Sequence, residues 1–210
     1  IELIDETQIK AINNYSKTDF EVAPTLFLEF HGTEAYAVEQ AQSLAEIAAE
    51  FGGGDFKWTA NTEERNRLWQ ARHDVAYACK AMRPKGEIWA TDVCVPISRL
   101  ADCITETQAD IKDTGLLAPI AGHVGDGNFH LCLIIDPDDP DERDRAEALH
   151  ERMVMRALSM GGTCTGEHGI GYGKLDFLVA EHGEAVSVMR SIKQALDPDN
   201  IMNPGKILRI

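Results

Sequence analysis

Apolar residues along this chain recur with two periods, and each period predicts a different kind of element. The period of about 3.6 residues indicates helices at 5–15, 34–51, 62–82, 98–113 and from the acidic loop 136–144 to about 160, followed by a helical tail. Alternation and short apolar runs indicate strands at 24–31, at 87–95 and two more within 118–135. The β-α-β-β-α-β order is that of ferredoxin-like units. We therefore predict an α+β fold in which helices cover an antiparallel sheet and a helical tail ends the chain.

Composition and charge exclude several classes of partner. A formal charge of −15 over 210 residues argues against nucleic acid and anionic membrane surfaces, because both would repel an acidic protein. No apolar run approaches the roughly 18 residues that a membrane span requires. Five cysteines without a C-x-x-C pair indicate reduced thiols in a reducing compartment. The opening residues 1–4 alternate like a strand already under way, so we expect a further domain before this segment.

The segment 118–135 brings two histidines into one predicted hairpin. Its two apolar runs flank Asp126-Gly127, which favours a two-residue loop. With that loop His123 lies directly opposite His130; a symmetric four-residue loop keeps this pairing, whereas a three-residue loop loses it. Two imidazoles that face each other in this way can reach a single metal ion. The alternative is a pair of hydrogen-bonded polar residues near the end of a hairpin.

A second candidate segment is the glycine-rich stretch 161–174, where Glu167 and His168 are neighbours among six glycines. It matches neither a Walker phosphate loop nor a dinucleotide fingerprint. Adjacent side chains in an extended loop point to opposite sides, so Glu167 can bind a metal while His168 carries protons. A carboxylate together with two histidines is typical of a catalytic divalent ion. The alternative is an ordinary connector whose first glycines end the preceding helix.

Arg72 interrupts the apolar stripe of the helix predicted at 62–82. An arginine on an apolar face needs a partner, and its planar fork suits a carboxylate held by two hydrogen bonds. That carboxylate belongs either to a substrate or to an acidic residue of this chain, for example Asp92 on the next strand. The sequence leaves both alternatives open.

Four segments, TDVCVPISRL, GHVGDGNFH, GTCTGEHGIG and LDPDNIMNPGKIL, occur in this order. They resemble the C-terminal substrate domain of flavin-linked 2-hydroxyacid dehydrogenases, the best match being the D-lactate dehydrogenase branch together with the FAD-linked subunit of glycolate oxidase. The resemblance implies that residues 1–210 are the substrate- and metal-binding domain of an FAD-linked oxidase. It also implies that the N-terminal FAD-binding domain is absent from this chain and that the fragment alone is inactive.

The resemblance also assigns roles to individual residues. It implies metal ligands at His123, His130 and Glu167, a catalytic base at His168, a substrate-binding arginine at Arg72, and cofactor contacts at Asn128, Asn203 and Lys206. In the implied reaction a bound Zn²⁺ or Mn²⁺ takes the hydroxyl and carboxylate of a small D-2-hydroxy acid, a D-lactate-like substrate. His168 accepts the hydroxyl proton while C2 passes hydride to FAD, which forms the 2-oxo acid. Proline and glycine residues that end a helix are the alternative explanation of the tail.

Partners and location follow from the same resemblance. It implies the FAD domain, an electron acceptor such as a quinone, a cytochrome or an electron-transfer protein, and a homodimer as one assembly. The implied location is the bacterial cytoplasm or the mitochondrial matrix, at a membrane periphery in some members. Two other functions remain open: a stand-alone metal hydrolase or lyase that uses the same two histidines and glutamate, and a non-catalytic docking lobe of a multi-subunit oxidase. Intact Arg72 and His168 argue against the docking lobe, because docking needs neither.

Overall fold

The fold is described by a computed structural model that covers residues 1–54 and 56–210. Among these residues the helices are α1 (Glu6–Ser16), α2 (Glu34–Glu50), α3 (Thr62–His73), α4 (Val75–Met82), α5 (Ile97–Thr114), α6 (Pro140–Ser159), α7 (Leu175–His182) and α8 (Ala185–Leu196). The strands are β1 (Glu2–Ile4), β2 (Thr25–Phe27), β3 (Glu87–Ala90), β4 (Val93–Cys94), β5 (Ile120–Gly122) and β6 (Asn128–Ile135). The predicted α+β class, with an antiparallel sheet and a helical tail, is confirmed.

Every strand pair in the sheet is antiparallel, and the strand order is β2-β1-β5-β6-β3. β4 also pairs with β6, so β3 and β4 follow one another along the same edge of β6. The single strand predicted at 87–95 is therefore two short strands. The break between them holds Thr91 and Asp92, both fully buried. The predicted strand at 24–31 was too long, because only Thr25–Phe27 pair with β1.

β6 is the longest strand, and one of its faces lies on the main core. Its alternate residues Phe129, Leu131, Leu133 and Ile135 are buried and pack against α5 and α6 through a continuous apolar cluster. Because side chains alternate along a strand, Asn128, His130 and Cys132 occupy the opposite face. That face is contacted by α4, which packs against α1 around a second apolar cluster. The candidate histidines therefore lie on the face that the main core does not use.

Local signals place most helix ends as predicted. α6 is an exception, because it begins inside the stretch 136–144 that was predicted to be a loop. The Asp139 side chain accepts hydrogen bonds from the amides of Asp141 and Glu142, and Pro140 occupies the first turn. α5 ends at Gly115 in the left-handed conformation. The helix predicted at 62–82 is instead two helices, α3 and α4, that adjoin at Asp74. None of the described helices combines the length and apolarity needed to cross a membrane, and all five cysteines are free thiols.

Candidate metal centre

The two candidate histidines come together on one sheet face, although not in the predicted register. β5 and β6 pair Ala121 with His130, and the amide of Asn128 donates to the carbonyl of His123. The loop is 124–127, one residue earlier than the symmetric four-residue loop 125–128, so the strand pairing shifts by two residues and His123 is not directly opposite His130. A shift of two residues preserves the face that each side chain occupies. The histidines are therefore diagonal neighbours, with ring centroids 5.9 Å apart.

Each imidazole is oriented by a hydrogen bond from its Nδ1 atom. His123 Nδ1 lies 2.7 Å from Glu2 Oε1, and His130 Nδ1 lies 2.9 Å from the backbone oxygen of Thr91. A carbonyl and a carboxylate only accept hydrogen bonds, so in both rings Nδ1 carries a proton and Nε2 is the nitrogen left to bind an ion. Burial lowers the pKa of His130, although the Thr91 carbonyl and the charge of Asp92 oppose this effect. This shift favours the neutral form of His130, which is the form that binds metals.

Glu167 completes the cluster from the glycine-rich loop. Its Oε1 atom lies 3.3 Å from His123 Nε2 and 3.1 Å from His130 Nε2. The three ligand atoms all lie within 4.8 Å of one another. Ligand atoms that surround an ion at 2.0–2.2 Å stand about 3.4 Å apart in tetrahedral geometry. The donor set, its spacing and its fixed Nδ1–H tautomers therefore fit a divalent ion with positions left for another ligand.

Asp92 holds the glycine-rich loop against the sheet. Its fully buried carboxylate accepts hydrogen bonds from the following groups of the loop: the Thr165 hydroxyl at 2.7 Å, and the amides of Gly166 at 2.8 Å, Glu167 at 3.1 Å and His168 at 3.0 Å. The ammonium group of Lys174 lies 3.2 Å away. Burial alone would raise the pKa of Asp92, but these hydrogen bonds and the Lys174 charge outweigh it and hold the pKa well below its ordinary value. Asp92 is therefore a permanent anion at the base of the loop.

His168 and Glu167 do not point to opposite sides as predicted. The His168 ring stacks on His130 at 4.9 Å between centroids with 10° between planes, and its Nε2 lies 3.6 Å from Glu167 Oε1. Three successive amides converge on one carboxylate, so this stretch is curled rather than extended. The curl brings both side chains to the same site. About half of each side chain is exposed, 49% for Glu167 and 44% for His168.

Asn128 belongs to the support of this loop. Its amide nitrogen donates to Asp92 Oδ1 at 2.8 Å and to the Val93 carbonyl at 2.9 Å. A Cβ atom at Gly166 would lie 1.9 Å from that amide nitrogen, so glycine is required for the close approach of the loop. The buried Oδ1 atom of Asn128 has no hydrogen-bond partner among the described residues. The expected cofactor contact of Asn128 can therefore involve only this oxygen unless the loop moves.

Arg72 pairs with Glu2 and not with Asp92. Its Nε and Nη2 atoms lie 3.0 and 2.8 Å from Glu2 Oε2, and both side chains are largely buried. Arg72 therefore does have an acidic partner in this chain, but Asp92 was the wrong residue; the pair with Glu2 leaves the Nη1 group of Arg72 outside it. The side chain of Asp92 instead faces Lys174 and the loop.

The expected cofactor residues Asn203 and Lys206 lie in an exposed tail that packs against the end of the glycine-rich loop. The Lys206 ammonium is 5.5 Å from the centre of the Tyr172 ring, and the Tyr172 hydroxyl donates to the Pro204 carbonyl at 3.2 Å. The tail is thereby attached just beyond His168 in the same loop. The backbone of Asn203, with a φ of 48°, is in the left-handed conformation.

Sequence reasoning missed the residues that support the ligands. Glu2 and Thr91 were not identified, Asp92 was considered only as a partner of Arg72, and Lys174 was not considered. One signal was available, because Asp92 stands inside the apolar run 87–95, where a buried acid requires several donors. Glu2 carried no comparable signal, since its partners are about 70 and 120 residues away.

Comparison with known proteins gives a consistent family. Residues 1–207 match the family "FAD linked oxidases, C-terminal domain". The chain is 51% identical over its whole length to "Probable D-lactate dehydrogenase, mitochondrial" from Danio rerio, covering 42% of that protein. It is 47% identical over 99% of its length to "D-lactate dehydrogenase [cytochrome], mitochondrial" from Arabidopsis thaliana, covering 37%. Over 98% of its length it is 27% identical to glycolate oxidase subunit GlcD from Escherichia coli K12, covering 42%.

The fold also matches a solved structure of low sequence similarity. A p-cresol methylhydroxylase with substrate bound superposes with a TM-score of 0.64 at 13% identity, over 98% of this chain and 46% of that chain. At this identity the match concerns the fold alone. The chain spans about two fifths of the length of the curated relatives named above.

Proposed function

Because this chain belongs to the family of FAD-linked oxidase C-terminal domains, we propose that it is the substrate- and metal-binding part of a flavin-dependent dehydrogenase. The proposed reaction oxidises a small D-2-hydroxy acid, similar to D-lactate, to the 2-oxo acid. The observation that carries the proposal is the convergence of His123 Nε2, His130 Nε2 and Glu167 Oε1 beside the exposed ring of His168. The D-lactate dehydrogenase names of the relatives from Danio rerio and Arabidopsis thaliana support the choice of substrate.

His123, His130 and Glu167 would hold the divalent ion, for which we propose Zn²⁺ or Mn²⁺. Such an ion acts as a Lewis acid that makes a bound hydroxyl easier to deprotonate. Two oriented imidazoles and one carboxylate are a set that either metal accepts. This role gives a reason for the two Nδ1 hydrogen bonds. They orient both rings so that the Nε2 atoms, together with Glu167 Oε1, face the place where the ion would bind.

His168 is the proposed proton acceptor. Its ring is held by stacking on His130, and about half of the side chain is open to solvent. An imidazole in this position can reach a proton on a substrate bound at the ion and release it to water. Arg72 is the proposed partner of the substrate carboxylate and orients the substrate. FAD, when bound by the rest of the protein, supplies the redox chemistry by accepting the hydride from C2.

The small size of the proposed substrate rests on Ala76, Ala90 and Cys132, positions at which the family resemblance implies polar or basic residues in relatives that oxidise dicarboxylates. Ala90 on β3 pairs with Cys132 on β6, two residues along the same sheet face from His130. Ala76 on α4 is exposed, as is Ala90. None of these three short side chains can neutralise a second carboxylate, and an unpaired carboxylate in a closed site is costly. A monocarboxylate is therefore the proposed class, with D-lactate as its example.

The other parts of the proposal concern the whole protein. The FAD domain, a homodimer and an electron acceptor of the quinone, cytochrome or electron-transfer class are its proposed partners. The mitochondrial matrix or the bacterial cytoplasm is its proposed location, consistent with the mitochondrial names of two relatives. The 210-residue fragment by itself is expected not to oxidise 2-hydroxy acids. The family match argues against a stand-alone metal hydrolase or lyase. The argument against a docking lobe is that docking would need neither Arg72 nor His168.

The roles of Glu167 and His168 can be separated by two substitutions in the full-length, flavin-loaded protein. Glu167→Gln removes an anionic ligand and should reduce both the bound metal and the rate of flavin reduction by D-lactate. His168→Asn should keep the metal, while flavin reduction slows by about 10²–10⁴ because a positioned base is lost. Elemental analysis after gel filtration measures the metal, and stopped-flow absorbance measures the flavin.

Exposed residues of the same type provide the controls. His31→Asn and Glu147→Gln should leave both the metal content and the rate unchanged, because both side chains lie on the surface. If His168→Asn loses the metal and Glu167→Gln keeps it, the two roles are reversed. A wild-type protein that holds no divalent metal and whose flavin is not reduced by D-lactate refutes the proposal.

A further inference from the structure

One buried carboxylate connects Arg72 to the metal cluster. Glu2 uses its two oxygens differently: Oε2 accepts from Nε and Nη2 of Arg72 at 3.0 and 2.8 Å, and Oε1 accepts from Nδ1 of His123 at 2.7 Å. The side chain of Glu2 is only 15% exposed, and that of Arg72 18%. Such a carboxylate is not a loosely placed surface charge. Its position is determined by both partners at once.

We infer that Glu2 is a positioning residue that fixes the metal ligand His123 and the substrate-binding guanidinium of Arg72 relative to each other. The inference rests on the proposed function, in which His123 binds the ion and Arg72 binds the substrate carboxylate. In this arrangement Glu2 itself contacts neither the ion nor the substrate. Its role is to set the distance and angle between the two groups that hold the two ends of one small substrate.

The effect on His123 follows from the chemistry of metal-bound histidines. A carboxylate at Nδ1 fixes the tautomer and the ring orientation, and it makes Nε2 a stronger donor toward a cation. His130 receives a weaker version of the same support, because its Nδ1 partner is the neutral carbonyl of Thr91. The carboxylate of Glu2 therefore strengthens metal binding indirectly, by way of its hydrogen bond to His123.

The effect on Arg72 follows from the shape of the guanidinium group. Glu2 occupies the Nε–Nη2 edge of the guanidinium and leaves the Nη1 group outside the pair. A planar fork held on one edge presents its remaining N–H groups in a fixed direction. Without Glu2, Arg72 would regain rotamer freedom that substrate binding must then remove. The structure thus predicts that Glu2 affects substrate affinity through Arg72 and metal affinity through His123.

The two effects can be separated in the full-length, flavin-loaded protein. Glu2→Ala removes both contacts and should raise the Kd for Zn²⁺ by about 10–100-fold, measured by competition with a chelating dye without substrate. Glu2→Gln keeps an oxygen that can accept from His123 but turns an N–H group toward Arg72. It should therefore raise the KM for D-lactate by about tenfold with a smaller change in Kd for Zn²⁺.

A double-mutant cycle tests the connection. If Glu2 acts on substrate through Arg72, Glu2→Gln should cause little further increase in KM once Arg72→Ala is present. Glu6→Gln, an exposed residue of the same segment, is the matched control and should change neither constant. The melting temperature of each variant shows whether it is folded. If Glu2→Ala does not fold, the result for Glu2→Gln decides the question.

Two negative results have different meanings. If the wild type binds Zn²⁺ and both Glu2 variants bind Zn²⁺ and D-lactate as the wild type does, the inference is wrong and the proposed function stands. Additive effects of Glu2→Gln and Arg72→Ala on KM also overturn it, because they show independent roles. A wild type that binds no Zn²⁺ or Mn²⁺ overturns the proposed function and the inference together.

Discussion

The two halves of the candidate metal centre are held in different ways. On the sheet, His123 and His130 are fixed through their ring nitrogens by Glu2 and the Thr91 carbonyl. In the glycine-rich loop, Glu167 and His168 are held through their backbone amides, which donate to Asp92, and the His168 ring also stacks on His130. The sheet half therefore sets the direction of its donor atoms. The loop half sets where the backbone runs, while about half of each of its two side chains stays exposed to solvent.

This difference suits the roles proposed for the two halves. A metal site gains affinity from ligands that are oriented before the ion arrives, and the histidines are oriented in this way. A residue that takes a proton from a substrate and gives it to water needs solvent access and some freedom, which the exposed side chain of His168 has. Substitutions that remove the support of the loop and of the sheet should therefore differ in their effects on stability and on Zn²⁺ affinity.

The largest effect is expected from the support of the loop. Asp92→Asn removes the charge that faces Lys174 and turns an N–H group toward amide donors, leaving a buried cation without its counter-charge. The free energy of unfolding, measured by urea denaturation, should fall by about 3–5 kcal/mol. The control Asp126→Asn changes an exposed acid in the hairpin loop. It should lower the free energy of unfolding by less than about 0.5 kcal/mol. Equal stabilities of the two variants would show that Asp92 does not hold the loop.

Acid pH should weaken the same support. The pKa of Asp92 is lower in the folded protein than the ordinary value of about 3.9 expected after unfolding. Below about pH 4 the unfolded chain therefore binds more protons, and the stability contributed by Asp92 falls as the pH falls. The Asp92→Asn variant should lose less stability than the wild type between pH 5 and about pH 3 in the same urea experiment. A steeper loss in the variant has the wrong sign for this explanation.

A smaller effect is expected from crowding the loop against Asn128. Gly166→Ala places a methyl group where the Asn128 amide lies and should cost about 1–3 kcal/mol in urea. It should also raise the Kd for Zn²⁺, because Glu167 is displaced from the two histidines. Gly173→Ala, in open space in the same loop, should change neither quantity. If Gly166→Ala binds Zn²⁺ as tightly as Gly173→Ala, the close approach of the loop is not needed for the site.

The smallest effect is expected at the beginning of the loop. Glu181 accepts hydrogen bonds from the Cys164 amide at 2.9 Å and the Thr163 hydroxyl at 3.1 Å. Glu181→Gln keeps one acceptor and loses the charge, so the free energy of unfolding should fall by about 1 kcal/mol. Zn²⁺ affinity should hardly change, because Asp92 still holds residues 165–168. A large loss of Zn²⁺ binding would mean that Glu181 and not Asp92 positions Glu167.

Much of the fold could be predicted from local patterns. α5 extends from Ile97 to Thr114 where 98–113 was predicted, because proline precedes it and glycine follows it. The hairpin of β5 and β6 was predicted from Asp126-Gly127, yet its register was not. The loop comprises residues 124–127 because the amide of Asn128 bonds the carbonyl of His123. That choice depends on pairing with β1 and β4, which local turn preferences do not include.

By itself the sequence determined which residues of the site can carry chemistry. His123, His130, Glu167 and His168 lie in two segments whose turn and glycine patterns are local, and the residues themselves can be read off in order. The tertiary structure alone decided what supports them. Glu2 reaches His123 across 121 positions, and Asp92 reaches His168 across 76. A buried charge is stabilised by whichever donors the fold brings within hydrogen-bond distance, and no sequence period of helix or strand encodes that distance.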